Sequence, residues 1–334
     1  MSFWLRMLTL TFPGEPAMPM NRIQFQPGVS LPEFFSRYGT EQQCEAALIA
    51  LRWPDGFRCP RCASAAHYVV GHGARKLFQC QGCRHQTSLT AGSLMDSTKL
   101  PLRIWFLAIF LISQHKTGLS SLALKRHLGT SYRTAWLIHH KVMATMARCD
   151  ADQPLTGNVQ LDDAYLGGER PGKGGRGSPN KVPIVAAVQT NDAGHPMRVK
   201  ISTLSAFTRS AVANWARANL TPGCDVLSDG LGCFAGVIDA DCAHSYIVVG
   251  SRKPREMPHF NWVNTVLGNL KTMIRGGYKA FNYRKYASQY LGAFSYRFNA
   301  RFDLRALLGL LAGQAATAAP TRERQIRAMA EIHD

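Results

Sequence analysis

Residues 158–167 read NVQLDDAYLG, and residues 224–230 read CDVLSDG. Each is a short apolar run that ends on aspartate: Val159-Gln160-Leu161 runs into Asp162-Asp163, and Val226-Leu227-Ser228 runs into Asp229. Runs of this length, bounded by turn residues, predict strands, and Gly230 marks the strand end where α/β sheets present ligands. Around them lie further strand signals (PIVAAVQT, MRVKIST, HSYIVV), the helical stretch FTRSAVANWARANL, and two long helical stretches near 260–275 and 283–316. Strands interleaved with helices predict an α/β sheet covered on its faces.

The acids in this set are scarce. The chain has 334 residues, with 39 Lys and Arg against 21 Asp and Glu, a net charge of +18. Such an imbalance points to a polyanionic partner, nucleic acid before membrane, because the basic residues are spread along the whole chain. In-line attack on a phosphodiester is helped by two divalent ions about 3.5–4 Å apart, and Mg2+ takes oxygen ligands. Asp162 is expected as the first ligand. Asp163 is the alternate, since alternation turns it to the opposite face of the strand. Asp229 supplies the second carboxylate. On the helix that follows, Asn264 and Lys271 lie seven residues apart and share a face. The third oxygen of the set would therefore come from an amide. Glu256 is an alternative, although it sits in the basic loop SRKPREM.

Upstream, Cys59, Cys62, Cys80 and Cys83 form CPRC-x17-CQGC. Two CxxC knuckles at this spacing bring four thiolates around a tetrahedral zinc ion and leave no open position for chemistry, so the site is structural. Arg58, Arg61 and Arg84 are expected to offset the thiolate charge; His67, His72 and His85 are surplus. Four of nine cysteines in such pairs fit a reducing compartment better than a disulfide framework. Between 117 and 146, TGLSSLALKRHLGTSYRTAWLIHHKVM has helix–turn–helix character. Ser120 or Ser121 caps its first helix, Gly129-Thr130-Ser131 makes the turn, and Ser131 caps a second helix carrying Arg133, Trp136, His139, His140 and Lys141. Basic residues near a helix N-terminus suit the major groove. Arg297 and Arg301, one helical turn apart, are expected to line a phosphate track.

LDDAYLGG, VLSDG, WVNTVLGNLKTMIRGGYKAFNY and YLGAFSYRFNARF, together with the paired CxxC knuckles, resemble the DDE-type insertion-sequence transposases with an N-terminal zinc ribbon. The resemblance covers roughly residues 30–315. It implies a ribonuclease H-like catalytic domain that cuts and joins double-stranded DNA, at element ends and target, with Mg2+ or Mn2+. The family's two aspartates fall on Asp162 and Asp229, its third acidic position on Asn264 and its lysine on Lys271, which would touch DNA phosphate or the terminal base. Some members of the group look similar in carrying asparagine at the third position.

The expected organisation is an N-terminal extension over 1–30 that is either poorly structured or misannotated, Met18 or Met20 being the working start in the second case. A helix and zinc ribbon follow over 31–92, then a helical DNA-binding region over 93–150. The catalytic domain spans 155–316, interrupted by the basic Gly-rich insertion 167–180, and a tail covers 317–334. The protein is expected to be cytoplasmic and nucleoid-associated, to assemble as a homo-oligomer on DNA, and to have no membrane span. Alternatives are a decayed or domesticated copy that only binds DNA, and a nuclease that hydrolyses without joining.

Overall fold

A computed structural model describes residues 23, 25–72, 75–167, 181–248, 250, 252, 256–278 and 281–328. Most of the N-terminal extension, the insertion from 168 to 180 and Lys279 lie outside the described residues.

Five helices come first in the chain: α1 (Leu31–Tyr38), α2 (Glu41–Arg52), α3 (Leu102–Gln114), α4 (Ser121–Leu128) and α5 (Tyr132–Ala151). Their starts are set by side-chain caps that satisfy otherwise orphaned N–H groups. Ser30 caps α1. Thr40 and Gln43 form a reciprocal capping box on α2. Ser120 caps α4 and Ser131 caps α5. Gly129 closes α4 in the left-handed conformation, φ 63°, which a glycine adopts without strain. Between α2 and α3 stands an antiparallel three-stranded ribbon, β1 (His67–His72), β2 (Arg75–Cys80) and β3 (Gln86–Ser88).

The second sheet has β4 (Asn158–Leu166), β5 (Val182–Thr190), β6 (Pro196–Thr203), β7 (Asp225–Ser228) and β8 (Ala243–Tyr246), in spatial order β6-β5-β4-β7-β8. The first three strands form an antiparallel meander, while β7 and β8 run parallel to β4. A three-strand meander extended by two parallel strands is the ribonuclease H-like topology, so the expected fold class holds. One face is covered by α6 (Arg209–Asn219) and a 3₁₀ segment, Gly232–Ala240, around Val159, Leu161, Val212, Trp215 and Phe234. The other face is covered by α7 (Asn261–Met273) and α8 (Tyr283–Asn299).

The anticipated helix over 283–316 is broken. It splits into α8 and α9 (Leu304–Thr317), because Asn299 turns its amide to both backbone groups of Val199 and Asp303 caps α9. The same core that backs α7 also contains α1–α5, the ribbon residues Cys59, Phe78 and Cys80, and α9. Two ends expected to lie outside the domains are packed. Gln26 bonds the Arg301 carbonyl and the Leu304 N–H, Val29 is buried, and α10 (Glu323–Ala328) buries Ile326.

Where α5 meets the sheet, Asp150 is buried against Lys200, whose ammonium lies 3.1 Å away with only 4% of its side chain exposed. Asn299 donates to the same carboxylate at 2.6 Å and Arg198 approaches to 3.7 Å. Removing one partner of such a pair strands a buried charge. Asp150→Ala is expected to destabilise the protein by about 3–5 kcal/mol, read as a lower urea midpoint. An unchanged midpoint would show that water reaches Lys200 and that the pair does not hold α5 to β6.

Candidate active site and zinc centre

Parallel pairing of β4 with β7 puts Leu161 opposite Ser228, so Asp162 and Asp229 are the next residues on adjacent strands. Neighbouring strands are about 4.8 Å apart, which suits two carboxylates sharing cations. β7 stops at Ser228 while β4 continues to Leu166 on β5 alone, leaving one side of β4 open from Asp162 onward. Into that opening the Asp162 carboxylate turns back on its own strand and accepts the Asp163 N–H at 2.8 Å. Beyond Asp229, Gly230 takes φ 89°, and the Leu231 N–H closes on Asp229 Oδ1 at 3.1 Å. Alternation had placed Asp163 on the far face, away from the metal. Instead, carboxylate oxygens of Asp162, Asp163 and Asp229 all lie within 4.8 Å of one another.

α7 begins without a side-chain cap of its own. Its Val263 N–H is satisfied by Gln160 Oε1 at 3.1 Å, two residues before Asp162 on the same strand. That bond holds the start of the helix over the acidic end of β4 and leaves Asn264, the next residue, half-buried. Val263, Val266, Leu267 and Leu270 bury the sheet-facing side of the helix. Lys271 is exposed, and its charge reaches Asp162.

Burial pushes the Asp162 carboxyl up to about 7. The Asp163 N–H opposes this shift, the Asp229 and Asp163 charges add to it, and Lys271 opposes it. Clustered, desolvated carboxylates need a proton or a cation to offset them. Three acidic oxygens at this separation therefore fit a hard divalent cation. Glu256 is exposed and lies outside the cluster. A cleft of about 700 Å3 opens toward the starts of β4 and β7, lined by Asn158, Gln160, Asp225, Leu227, Asn261 and Trp262, and none of the three aspartates lines it.

In the ribbon, the sulfurs of Cys59, Cys62, Cys80 and Cys83 lie within 4.8 Å of one another, with Cys59 to Cys83 and Cys62 to Cys80 both at 3.5 Å. Tetrahedral zinc–thiolate bonds of about 2.3 Å require sulfurs about 3.8 Å apart, so the set fits zinc. The two knuckles repeat one backbone. The Cys59 and Cys80 N–H groups bond the carbonyls of Ser64 and His85, and Ala63 and Arg84 take left-handed φ of 59° and 60° at matching positions. Neither is glycine, so the site holds two strained residues in place. The Cys83 N–H draws the Cys80 thiol down to about 6, while, against the Ser64 N–H, the neighbouring thiols push Cys62 up to about 12. His67 bonds the Ala65 carbonyl and packs on Phe57, and is no ligand. The His72 side chain lies outside the described residues.

The basic residues expected on DNA divide. Arg133 sits in the exposed first turn of α5, paired with Glu323 of α10 at 3.0 Å. Beyond that turn α5 is a core helix, with His139 and His140 buried and not presented to solvent. The Lys141 ammonium bonds the Leu94 carbonyl at 3.3 Å and lies over the Trp105 ring. Arg297 turns to the Tyr278 hydroxyl at 3.4 Å and Met273 Sδ at 3.0 Å. Arg301 donates to the Met197, Phe298 and Pro196 carbonyls, is stacked on Phe298 and Phe302, and burial lowers it to about 10. These two guanidiniums tie α8 and its C-terminal turn to neighbouring elements.

Residues 154–299 match the ISXO2-like transposase domain, and residues 39–86 match the transposase zinc-ribbon domain. Over these two stretches the chain is similar to transposases that join such a ribbon to a DDE catalytic domain. It is also 28% identical, over 131 residues, to an uncharacterized protein in transposable element ISH50 of Halobacterium salinarum. That match covers 38% of this chain and 42% of the relative, less than half the length of either. Among the described residues no helix is long and apolar enough to cross a membrane.

Proposed function

We propose that the protein is an active DNA transposase that binds the ends of its own element and cuts and joins them at the Asp162–Asp229 site. The observation that carries this is the parallel register of β4 and β7, which sets the two aspartates side by side inside a transposase-domain match. Asp162 and Asp229 hold the divalent ions, Mg2+ or Mn2+, and Asn264 adds a neutral amide oxygen from α7. Bound there, the ions supply charge to the attacking and leaving oxygens of an in-line displacement. Lys271, exposed beside the acids, takes a phosphate of the DNA end and holds the strand in line. Water is the first nucleophile; the freed 3′-hydroxyl then attacks target DNA. The zinc ribbon and the exposed N-terminal turn of α5, with Arg133, bind the terminal repeats. The protein works as a homo-oligomer on DNA, in the cytoplasm at the nucleoid.

One observation favours a second reading, a copy that binds DNA without cutting it: position 264 carries an amide where a carboxylate would bind metal more strongly. A strand-transfer assay separates the readings. Purified protein, DNA bearing the element's flanking repeats and Mn2+ should yield joined products. Binding without cleavage leaves the second reading standing, and cleavage without joining makes the protein a nuclease.

Binding itself should depend steeply on salt. If about ten phosphates are neutralised, log K should fall against log salt with a slope of about −9. A flat response between low and moderate salt would contradict the nucleic-acid reading altogether.

A further inference from the structure

We propose that Asp163 supplies the third carboxylate of the metal site, carrying the negative charge that Asn264 lacks. This rests on the reading of Asp162 and Asp229 as ligands of divalent ions. Two such ions bring four positive charges. Asp162 and Asp229 offset two, and an amide at 264 offsets none. Among the described residues, Asp163 has a carboxylate oxygen within 4.8 Å of oxygens on both other aspartates.

Strand alternation alone would keep Asp163 on the opposite face of the sheet. The early end of β7 removes that barrier. From Asp162 onward β4 has no neighbour on that side, so side chains from both faces reach around the bare edge to one point. The Asp163 N–H bonds the Asp162 carboxylate at 2.8 Å, which draws the two neighbouring acids together at that edge. The charge that a DDE site draws from a helix is here drawn from the residue beside the first aspartate. Asn264 then completes coordination by its oxygen, without charge.

Mn2+ binding to the full chain without DNA, followed by electron paramagnetic resonance, tests this apart from activity. Asp163→Asn should weaken Mn2+ by about 10- to 100-fold, the range seen when groups supporting a metal site are removed. Asp163→Glu, which keeps the charge, should bind nearly as the parent does. Moving the charge onto the helix, in the double variant Asp163→Asn with Asn264→Glu, should recover most of the lost affinity. Zinc content and the urea midpoint report that each variant is folded. Parent-like binding by Asp163→Asn, while Asp229→Asn loses Mn2+, would overturn the role of Asp163 and leave the site intact. A double variant no better than Asp163→Asn alone would overturn it too. If Asp229→Asn also binds like the parent, the metal-site reading itself fails.

Discussion

Asp229→Ala is expected to lower both strand cleavage and strand joining by about 1,000-fold or more, taking the metal contribution as about 4 kcal/mol. Asp162→Ala should do the same. DNA binding should survive in both, because these side chains act through the ions and binding draws on the basic surface. Stability should survive as well, and for a reason visible in the site. Without metal, the Asp229 charge is one of those that push Asp162 upward, so deleting it relieves repulsion in a desolvated cluster. The urea midpoint of Asp229→Ala should therefore equal or slightly exceed that of the parent. Rapid cleavage by Asp229→Ala would dismiss the site. A marked fall in its midpoint would mean that the carboxylate holds the fold, through its bond to the Leu231 N–H, and does not mainly hold metal.

The parts of the molecule that were legible in the sequence are those fixed by local chemistry. Capping residues marked the helix starts at Ser120 or Ser121 and at Ser131, and apolar runs ending on aspartate marked β4 and β7. Matched CxxC spacing located the zinc site because four thiolates need only two short turns. Contacts made at a distance were not legible. Nothing near Lys141 or Arg301 in the chain says that Leu94, Met197 or Pro196 will offer them carbonyls. A basic residue on a helix reads as a solvated face until tertiary packing shows which side is inward. Asp163 was misplaced for a different reason. Period-two alternation holds along β4, but where β7 ends the open edge lets carboxylates from the two faces approach one another. Gln160, which anchors α7 through the Val263 N–H, carried no signal beyond its two-residue spacing from Asp162.

The largest effect on folding is expected at the ribbon. Cys80→Ser should take the zinc content from one ion per chain to near zero. Cys80 is fully buried at the end of β2, and its N–H bonds the His85 carbonyl to shape the second knuckle. Without metal, Ala63 and Arg84 would have no reason to stay left-handed, and the local aromatic cluster of Trp53, Phe57 and Phe78 is small. Structural zinc contributes an apparent binding energy of about 10–16 kcal/mol, more than such a cluster can replace. Backbone amides of β1–β3 should then lose protection from hydrogen exchange. Those of β4 and β5 should keep theirs, because one face of that sheet has its own core on α6, around Val159, Val212, Trp215 and Phe234. The helical core is shared, since Cys59, Phe78 and Cys80 pack into the same cluster as α2, α3 and α9. Partial loosening should therefore spread to α2, the helix that leads into the ribbon, and stop short of the catalytic strands. Full zinc retention in Cys80→Ser would remove the metal site. Loss of protection across β4 and β5 would show instead that the ribbon and the catalytic sheet fold as one unit.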